Sequence, residues 1–530
     1  MKNLSKKNQG VFNKVFKWFL YSLPLALFFS YYPLIHFGSD ETMNYEISLP
    51  LIWLVLFDLL VFFKMIKQKL LFRNFGGKWV YLLFPVFLTL SVLWSLNSIR
   101  GILTVGILWL IYFAVYGMYT FRELFDELFK KQFFKWFFGS TIIVCVFCFL
   151  QCILDLNGVS REYSLLCEGC TYASFGFPHP NGFAIEPQFM GNLLLVPAII
   201  AVWLMVKLNN KKLRRESIEK QDHRKLELEH SLWGELNNKK LRRKSSRGVV
   251  FTTAKSDSAL YCSTGSSSVA VVKTTTGSDS LCLNFLLFSF FLTTMTLFLT
   301  FSRGAIYAFI VAMIFLTAFL FVREKGKVAK RIFGVWMTIV IAFLFTLNAQ
   351  GIMAAVSPTN DTYQSGIAKV LNHLSLGIVD IRQNEVVENP VENFKEEGEE
   401  IEAVFDGYVA ESTETRLKLS DMAIKIWTKD FRTMMFGVGL GGAGRALQDS
   451  GLSSSSKEII QNQYVSLLLE TGLVGVILLI ITVILIVRRV LNKVALMALI
   501  AAYGVSLLFF AGLANALQIY LLPMMIYLLV

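Results

Sequence analysis

The residue best suited to chemistry is an arginine between two strongly apolar stretches. Arg303 stands in FLTFSRGAIYAF, with almost no polar sequence on either side. A guanidinium at membrane depth costs roughly 2.5–3.5 kcal/mol unless it meets water or a partner. Because the guanidinium fork binds phosphate through paired hydrogen bonds, Arg303 is predicted to hold a pyrophosphate or an anionic sugar in an outer cavity. The alternative is a structural arginine that pairs with a carboxylate in a tight helical turn.

A second group of polar residues lies in FGFPHPNGFAIEPQFMGN, residues 175–192. Its prolines and glycines predict broken backbone where the chain enters the membrane, and such backbone is tolerated where it lines a cavity. Glu186 is the candidate base, or the partner of Arg303. The alternative is a Pro/Gly hairpin with a satisfied carboxylate. The other candidates here, for substrate binding, are His179, Asn181 and Gln188.

A third candidate is the glycine-rich run FGVGLGGAGRA, residues 436–446. Its GxGxxG match is not read as a dinucleotide site, because no strand precedes it. Clustered backbone N–H groups can still cradle an anion, so Gly437 and Gly439 are predicted to contact substrate. The alternative is a flexible turn that leads back to the membrane.

A fourth candidate is IIQNQYVSLLLETGLVG, residues 459–475, which enters an apolar span. Gln461, Asn462 and Tyr464 are predicted to stand at the outer mouth of that span and to contact substrate. The alternative is simple anchoring of amide and tyrosine side chains at the membrane interface.

The elements that position these residues are predicted to be membrane helices. Of 530 residues, 55% are apolar and 17% are charged, whereas soluble domains carry about 25% charged residues. The apolar residues form blocks of about 17–25, long enough to cross a bilayer core. We therefore predict an all-α, polytopic membrane helix bundle. About twelve transmembrane helices are expected, at 16–36, 47–63, 79–97, 101–119, 136–154, 187–206, 283–301, 304–322, 332–349, 464–487, 494–513 and 517–530.

Lysine and arginine placement predicts the orientation. With the N-terminus inside, 38 of the 51 Lys and Arg residues fall on the inner side, as the positive-inside rule requires. The net charge of +13 therefore needs no nucleic-acid partner. The expected organisation is 1–206 (helices 1–6), 207–282 (a basic, Ser/Thr-rich, disordered cytoplasmic insertion), 283–349 (helices 7–9), 350–463 (a large outer loop) and 464–530 (helices 10–12).

The outer loop is predicted to contain a helix over about 414–429. Leu419, Ala423, Ile426 and Trp427 recur at helical spacing, which indicates one apolar face lying on the membrane surface or capping the bundle. Elsewhere, Cys145, Cys148 and Cys152 are expected to pack as small apolar residues. The pair Cys167 and Cys170 suggests a disulfide. His373 is expected at the surface.

Taken together, these motifs resemble the bacterial O-antigen ligase and polymerase family of envelope glycosyltransferases. The resemblance rests on PHPNGFA before a span, SRGA between two spans, a long outer loop, then FGVGLGG and QNQYVSLLLETGLVG. It implies an inverting, metal-independent transfer at the outer face of the bacterial cytoplasmic membrane, without a cofactor. The donor is an undecaprenyl-pyrophosphate-linked glycan, the acceptor a glycan or glycolipid, and membrane lipid surrounds both. Arg303 then matches the family's span-linking arginine, and Arg416 in STETRLKLSDMA resembles its loop arginine; both hold pyrophosphate.

One departure affects the chemistry. The family's ligases carry a histidine immediately before the asparagine of the last motif, and here that position is Gln461. A glutamine amide cannot act as a general base at ordinary pH. Either Glu186 takes that role, or departure of pyrophosphate drives the step, or activity is lost. A polysaccharide flippase or other transporter, a peptidoglycan-type polymerase and an inactive scaffold relative remain alternatives.

Overall fold

The fold is almost entirely helical in a computed structural model of the chain. The described residues are 2–29, 33–37, 45–70, 79–159, 176–184, 186–208, 221, 224–225, 267–323, 329–357, 361–375, 405–451, 459–509 and 521–529. The chain divides into two compact units, residues 1–200 with 289–530, and residues 201–288. The candidate residues all belong to the first unit. Residues 160–175, which include Cys167 and Cys170, and most of the predicted insertion lie outside the described residues.

The helices, numbered in chain order, account for nearly all of the described chain. They are α1 Lys2–Phe28, α2 Leu49–Lys67, α3 Leu83–Ser91, α4 Ser98–Thr120, α5 Glu127–Leu156, α6 Pro187–Leu208, α7 Ser267–Leu299, α8 Arg303–Arg323, α9 Ala329–Val356, α10 Tyr363–Leu374, α11 Phe405–Trp427, α12 Phe431–Phe436, α13 Ala443–Asp449, α14 Gln463–Val490, α15 Val494–Ser506 and α16 Leu521–Leu529.

Seven helices within the described residues are long and apolar enough to cross a membrane: α2, α4, α5, α6, α8, α9 and α14. Three shorter apolar helices, Val80–Trp94, Leu283–Leu299 and Val494–Ser506, coincide with further predicted spans. The chain is therefore a multi-pass helical membrane protein, as predicted. The full number of twelve crossings stays a prediction.

Several predicted boundaries differ from the structure. The first helix ends at Phe28 rather than near residue 36, and Pro33–Phe37 forms a strand, β1, antiparallel to β2, Tyr45–Ser48. Pro33, the first residue of β1, disfavours a helix at this point, because its ring fixes φ and removes the N–H donor. In addition, α7 begins at Ser267, within the segment predicted as a disordered insertion.

Close packing of small residues sets the position of α8. Ala305, Ala308 and Ala312 repeat along α8 and are fully buried, and α8 packs against α15. The facing helix repeats the pattern with Ala495, Ala498 and Ala502, which are also fully buried. Small side chains let two membrane helices approach closely, so the N-terminal end of α8, where Arg303 lies, is held rigidly.

Candidate functional site

Arg303 is the first residue of α8 and follows a tight turn after α7. The turn passes through Phe301, whose φ of +49° lies in the left-handed region that large side chains rarely adopt. Helix α6 approaches this turn so closely that a Cβ on Gly191 would lie 2.9 Å from the Cβ atoms of both Ala305 and Ser302. The second predicted motif is thereby brought directly against the first.

His373 is buried beside this turn, so its predicted surface position is wrong. It is 7% exposed, and its Nε2 lies 3.2 Å from the carbonyl oxygen of Phe301. Burial lowers the pKa of His373 to about 3, and the charges of Arg303, His179 and Arg416 act in the same direction. The imidazole is therefore neutral. Because a carbonyl only accepts, Nε2 carries the proton and donates it to Phe301.

A local signal for this burial was present in the sequence. Gly366, Val370 and His373, which follow one another at i, i+4 and i+7 on α10, are all buried. The spacing places them on one face of the helix. Sequence reasoning missed the residue because its partner, Phe301, is 72 positions away.

Arg416 lies on α11, which is the helix predicted in the outer loop. The helix spans Phe405–Trp427 and starts earlier than expected. Its predicted apolar face is confirmed: Leu419 and Ala423 are buried in one cluster with residues of α13 and α14, and Ile426 and Trp427 pack against that cluster. This docking fixes the part of α11 next to Arg416.

The carboxyl of Glu186 lies within electrostatic range of Arg416. Burial raises the pKa of Glu186 above its ordinary value, while a hydrogen bond from Gln188 and the charge of Arg416 oppose that rise. The expected partner of Glu186 was Arg303, whereas the arginine that acts on this carboxyl is Arg416. A carboxyl with a raised pKa is suited to accept a proton near neutral pH.

The predicted break before α6 is confirmed, and Gln151 of α5 holds it. The side chain of Gln151 accepts a hydrogen bond from the Gly182 N–H at 2.8 Å and donates one to Asn181. Asn181 is 2% exposed. Its side chain therefore braces the turn, and this contact does not support the substrate-binding role predicted for it. His179 in the same turn is buried and lies near His373.

The backbone N–H groups of the glycine-rich turn are bonded within the protein. The N–H of Gly437 donates to Thr433 and that of Gly439 to Glu470, both at backbone carbonyls and at 2.8 and 2.9 Å. The carboxylate of Glu470 accepts from the N–H groups of Gly441 and Ala443. These donors are satisfied by the protein itself, so the turn lends no support to the substrate contact predicted for Gly437 and Gly439, which stays a prediction.

A break in α14 explains why the turn seats there. Gly472 has φ +64° inside the helix, which interrupts the regular i to i−4 bonding of its neighbours. The carbonyls of Leu469 and Glu470 instead accept from Val438 and Gly439 at 2.9 Å. Turn and helix thus complete each other's backbone hydrogen bonds.

In the last motif, two of the three predicted residues make hydrogen bonds to the protein backbone. Asn462 caps α14, because its side-chain oxygen accepts from the backbone N–H groups of Tyr464 and Val465 at 3.1 and 3.2 Å. The Tyr464 hydroxyl donates to the Gly504 carbonyl at 2.6 Å. Gln461 differs, because its Oε1 is buried and no hydrogen-bond partner for it occurs among the described residues. A substrate contact of Gln461 therefore stays a prediction.

The structure thus brings together residues of three separate segments: Arg303, His179 with Glu186, and Arg416. The charges of Arg303, His179 and Arg416 lower the pKa of His373. The charge of Arg416 also acts on Glu186. The glycine-rich turn belongs instead to the packing of α14 with residues 91–101, since a Cβ on Gly439 would lie 2.3 Å from the Cα of Ser95. Within the described residues, no group of three or more His, Cys, Asp or Glu side chains is placed to hold a metal ion.

Comparison with known proteins gives a family. Residues 288–480 match the family model described as O-antigen ligase, a range that contains Arg303, His373, Arg416 and Gln461. No curated protein and no solved structure matches the chain. The match over this segment supports an O-antigen ligase family assignment.

Proposed function

We propose that this member of the O-antigen ligase family transfers or polymerises undecaprenyl-pyrophosphate-linked oligosaccharide at the outer face of the bacterial cytoplasmic membrane. The observation that carries the proposal is that the charges of Arg303 and Arg416, which lie far apart in the sequence, both act on one buried histidine, His373. Two positive charges in a site lined by buried residues favour a ligand with at least two negative charges. A pyrophosphate has that charge and the oxygen geometry that arginine binds.

In the proposed reaction the acceptor hydroxyl attacks the anomeric carbon of the donor. A carbon–oxygen bond forms on one face of the sugar, the bond to the pyrophosphate breaks on the other, and the anomeric configuration inverts. Undecaprenyl pyrophosphate leaves with the bonding electron pair. Arg303 and Arg416 stabilise the charge that develops on it, which is the largest catalytic term in reactions of this kind. This step uses no metal and no cofactor.

Glu186 is proposed to receive the proton of the acceptor hydroxyl. Its raised pKa and the charge of Arg416 that acts on it support this role. Gln461 is proposed to orient the acceptor through its amide, since glutamine does not take up a proton. In this scheme the carboxylate does the work of the histidine that the related ligases carry next to the asparagine.

The test is genetic and biochemical. A deletion strain is complemented with wild type, Arg303→Ala, Arg416→Ala or Arg445→Ala, and its surface glycans are separated on a gel. Arg445 is the matched control, because it lies in the same loop, is half exposed and pairs with Asp449 at 2.9 Å. The first two variants are expected to lose activity by roughly 10²- to 10³-fold, and the control to behave as wild type.

The pattern of the deletion strain identifies the reaction. Single glycan units that remain attached without long chains indicate a polymerase. Loss of all attached glycan, with polymer accumulating on the carrier lipid, indicates a ligase. Full-length glycan in both Arg303→Ala and Arg416→Ala contradicts the proposal. Unchanged glycan with an altered distribution of carrier lipid across the membrane indicates a transporter instead.

A further inference from the structure

The turn that presents Arg303 is conformationally unfavourable by itself. Phe301 has φ +49°, and for residues other than glycine the left-handed region carries an energetic cost. Such conformations persist only where surrounding contacts enforce them. Phe301 is buried in one cluster with Phe177, Ala354 and Val370, so apolar packing supplies one part of this constraint.

A second part comes from α10, through hydrogen bonds at its C-terminal end. His373 donates from Nε2 to the Phe301 carbonyl at 3.2 Å. The hydroxyl of Tyr307, one turn into α8, donates to the carbonyl of Leu374. The end of α10 is therefore bonded both before and after Arg303, and a buried backbone carbonyl obtains the partner that it requires.

We propose that His373 is a positioning residue for Arg303: its hydrogen bond to Phe301 holds the left-handed turn in which α8 begins. The inference rests on the proposed function, because Arg303 must bind the pyrophosphate for its position to matter. A neutral donor suits the place, since a lysine or arginine here would add a third positive charge beside Arg303 and Arg416. Burial and those two charges keep the imidazole neutral.

Three substitutions at the same position separate the donor from the side-chain volume. The amide nitrogen of glutamine lies about where Nε2 lies, and that of asparagine about where Nδ1 lies. His373→Gln therefore keeps a donor toward Phe301, whereas His373→Asn and His373→Leu do not. The matched control is Lys369→Met on the same helix, which removes an ion pair with Asp361 at 2.7 Å and leaves the bond to Phe301 intact.

Two measurements on the purified full-length protein test the proposal. The first is binding of undecaprenyl pyrophosphate. We expect His373→Leu and His373→Asn to weaken it between roughly tenfold and 100-fold, and His373→Gln and Lys369→Met to stay within about threefold of wild type. The second is amide hydrogen exchange over residues 300–306. In the intact turn the N–H of Ile306 donates to the carbonyl of Ser302 at 2.9 Å. Exchange in this segment should be faster in His373→Leu and His373→Asn than in wild type.

A double variant ties the effect to Arg303. If His373 acts through Arg303, then Arg303→Ala with His373→Leu binds no more weakly than Arg303→Ala alone. An additive loss contradicts the positioning role, as does wild-type binding and exchange in both His373→Leu and His373→Asn. Wild-type binding in Arg303→Ala, with faster exchange in His373→Leu, instead contradicts the proposed function and leaves the support of the turn established. If the leucine variant does not fold, the comparison of glutamine with asparagine decides.

Discussion

Replacing Gly439 by alanine should cost more stability than its backbone angle alone explains. Gly439 has φ +87°, and an added Cβ would lie 2.3 Å from the Cα and 2.6 Å from the N of Ser95. Carbon atoms pack best at about 3.5–4.0 Å. Both contacts are to backbone, so no side-chain rotation relieves them, and either the turn or the segment around Ser95 must move.

Gly451 provides the matched control for this substitution. Its φ is +72°, and nothing lies within 4 Å of an added Cβ. Alanine at 451 therefore bears only the cost of the left-handed backbone, about 1–2 kcal/mol. At 439 the steric conflict adds a further 1–3 kcal/mol or so. The free energy of unfolding should thus fall by about 2–5 kcal/mol for Gly439→Ala.

Thermal unfolding followed by tryptophan fluorescence in one detergent measures the difference. Trp94 is a local reporter, because its Nε1 donates to the Phe436 carbonyl at 3.3 Å. For a cooperative unit of several hundred residues, each kcal/mol corresponds to about 1 °C. Gly439→Ala should therefore unfold about 2–5 °C below wild type and below Gly451→Ala. Equal midpoints for the two variants refute the steric argument.

Three further results are expected. If Glu186 is the base, Arg416→Gln removes a charge that lowers its pKa, so the acid limb of the pH–rate profile moves to higher pH; an unmoved limb contradicts that role. The folded-state pKa of His373, about 3 against an ordinary 6.5, means that stability present above pH 6.5 is lost as pH falls toward 3; at pH 5.5 the loss is on the order of 1 kcal/mol. Thermal unfolding measured at pH 5.5 and above pH 6.5 should show this loss of stability in wild type and not in His373→Gln. Asn462→Ala removes the cap of α14 and should lower the free energy of unfolding by about 1 kcal/mol. Asn462→Asp keeps a capping oxygen and should unfold like wild type in the same assay.

Elements governed by local periodicity could be predicted from the sequence. The apolar face of α11 followed from the spacing of Leu419 and Ala423, and burial of both confirms it. Helix starts marked by proline were also accessible, because Pro187 and its neighbours allow few conformations. The buried cysteines of α5 were expected for the same reason, since helical spacing placed them on one face.

Features that depend on distant contacts could not be predicted in this way. The bond from His373 to Phe301 joins residues 72 positions apart, and no local pattern encodes it. Free N–H groups were expected in the glycine-rich turn because the break at Gly472, which supplies their acceptors, has no clear signature inside an apolar run. The capping role of Asn462 could not be told from substrate contact by sequence, because a cap and a binding residue use the same side chain.

The break in α14 has a consequence for how the protein is assembled. Inside a bilayer, each backbone carbonyl without a partner costs several kcal/mol, and those of Leu469 and Glu470 find theirs in the turn at Val438 and Gly439. Two-stage insertion assumes that each helix is stable in lipid before the helices pack together. Helix α14 departs from this, because its broken segment lacks hydrogen-bond partners until the preceding loop packs against it. The turn and the helix therefore depend on each other for their backbone hydrogen bonds. A chimera that exchanges outer loops between relatives must carry residues 431–475 together. Otherwise the backbone carbonyls of the old helix lose their hydrogen-bond donors.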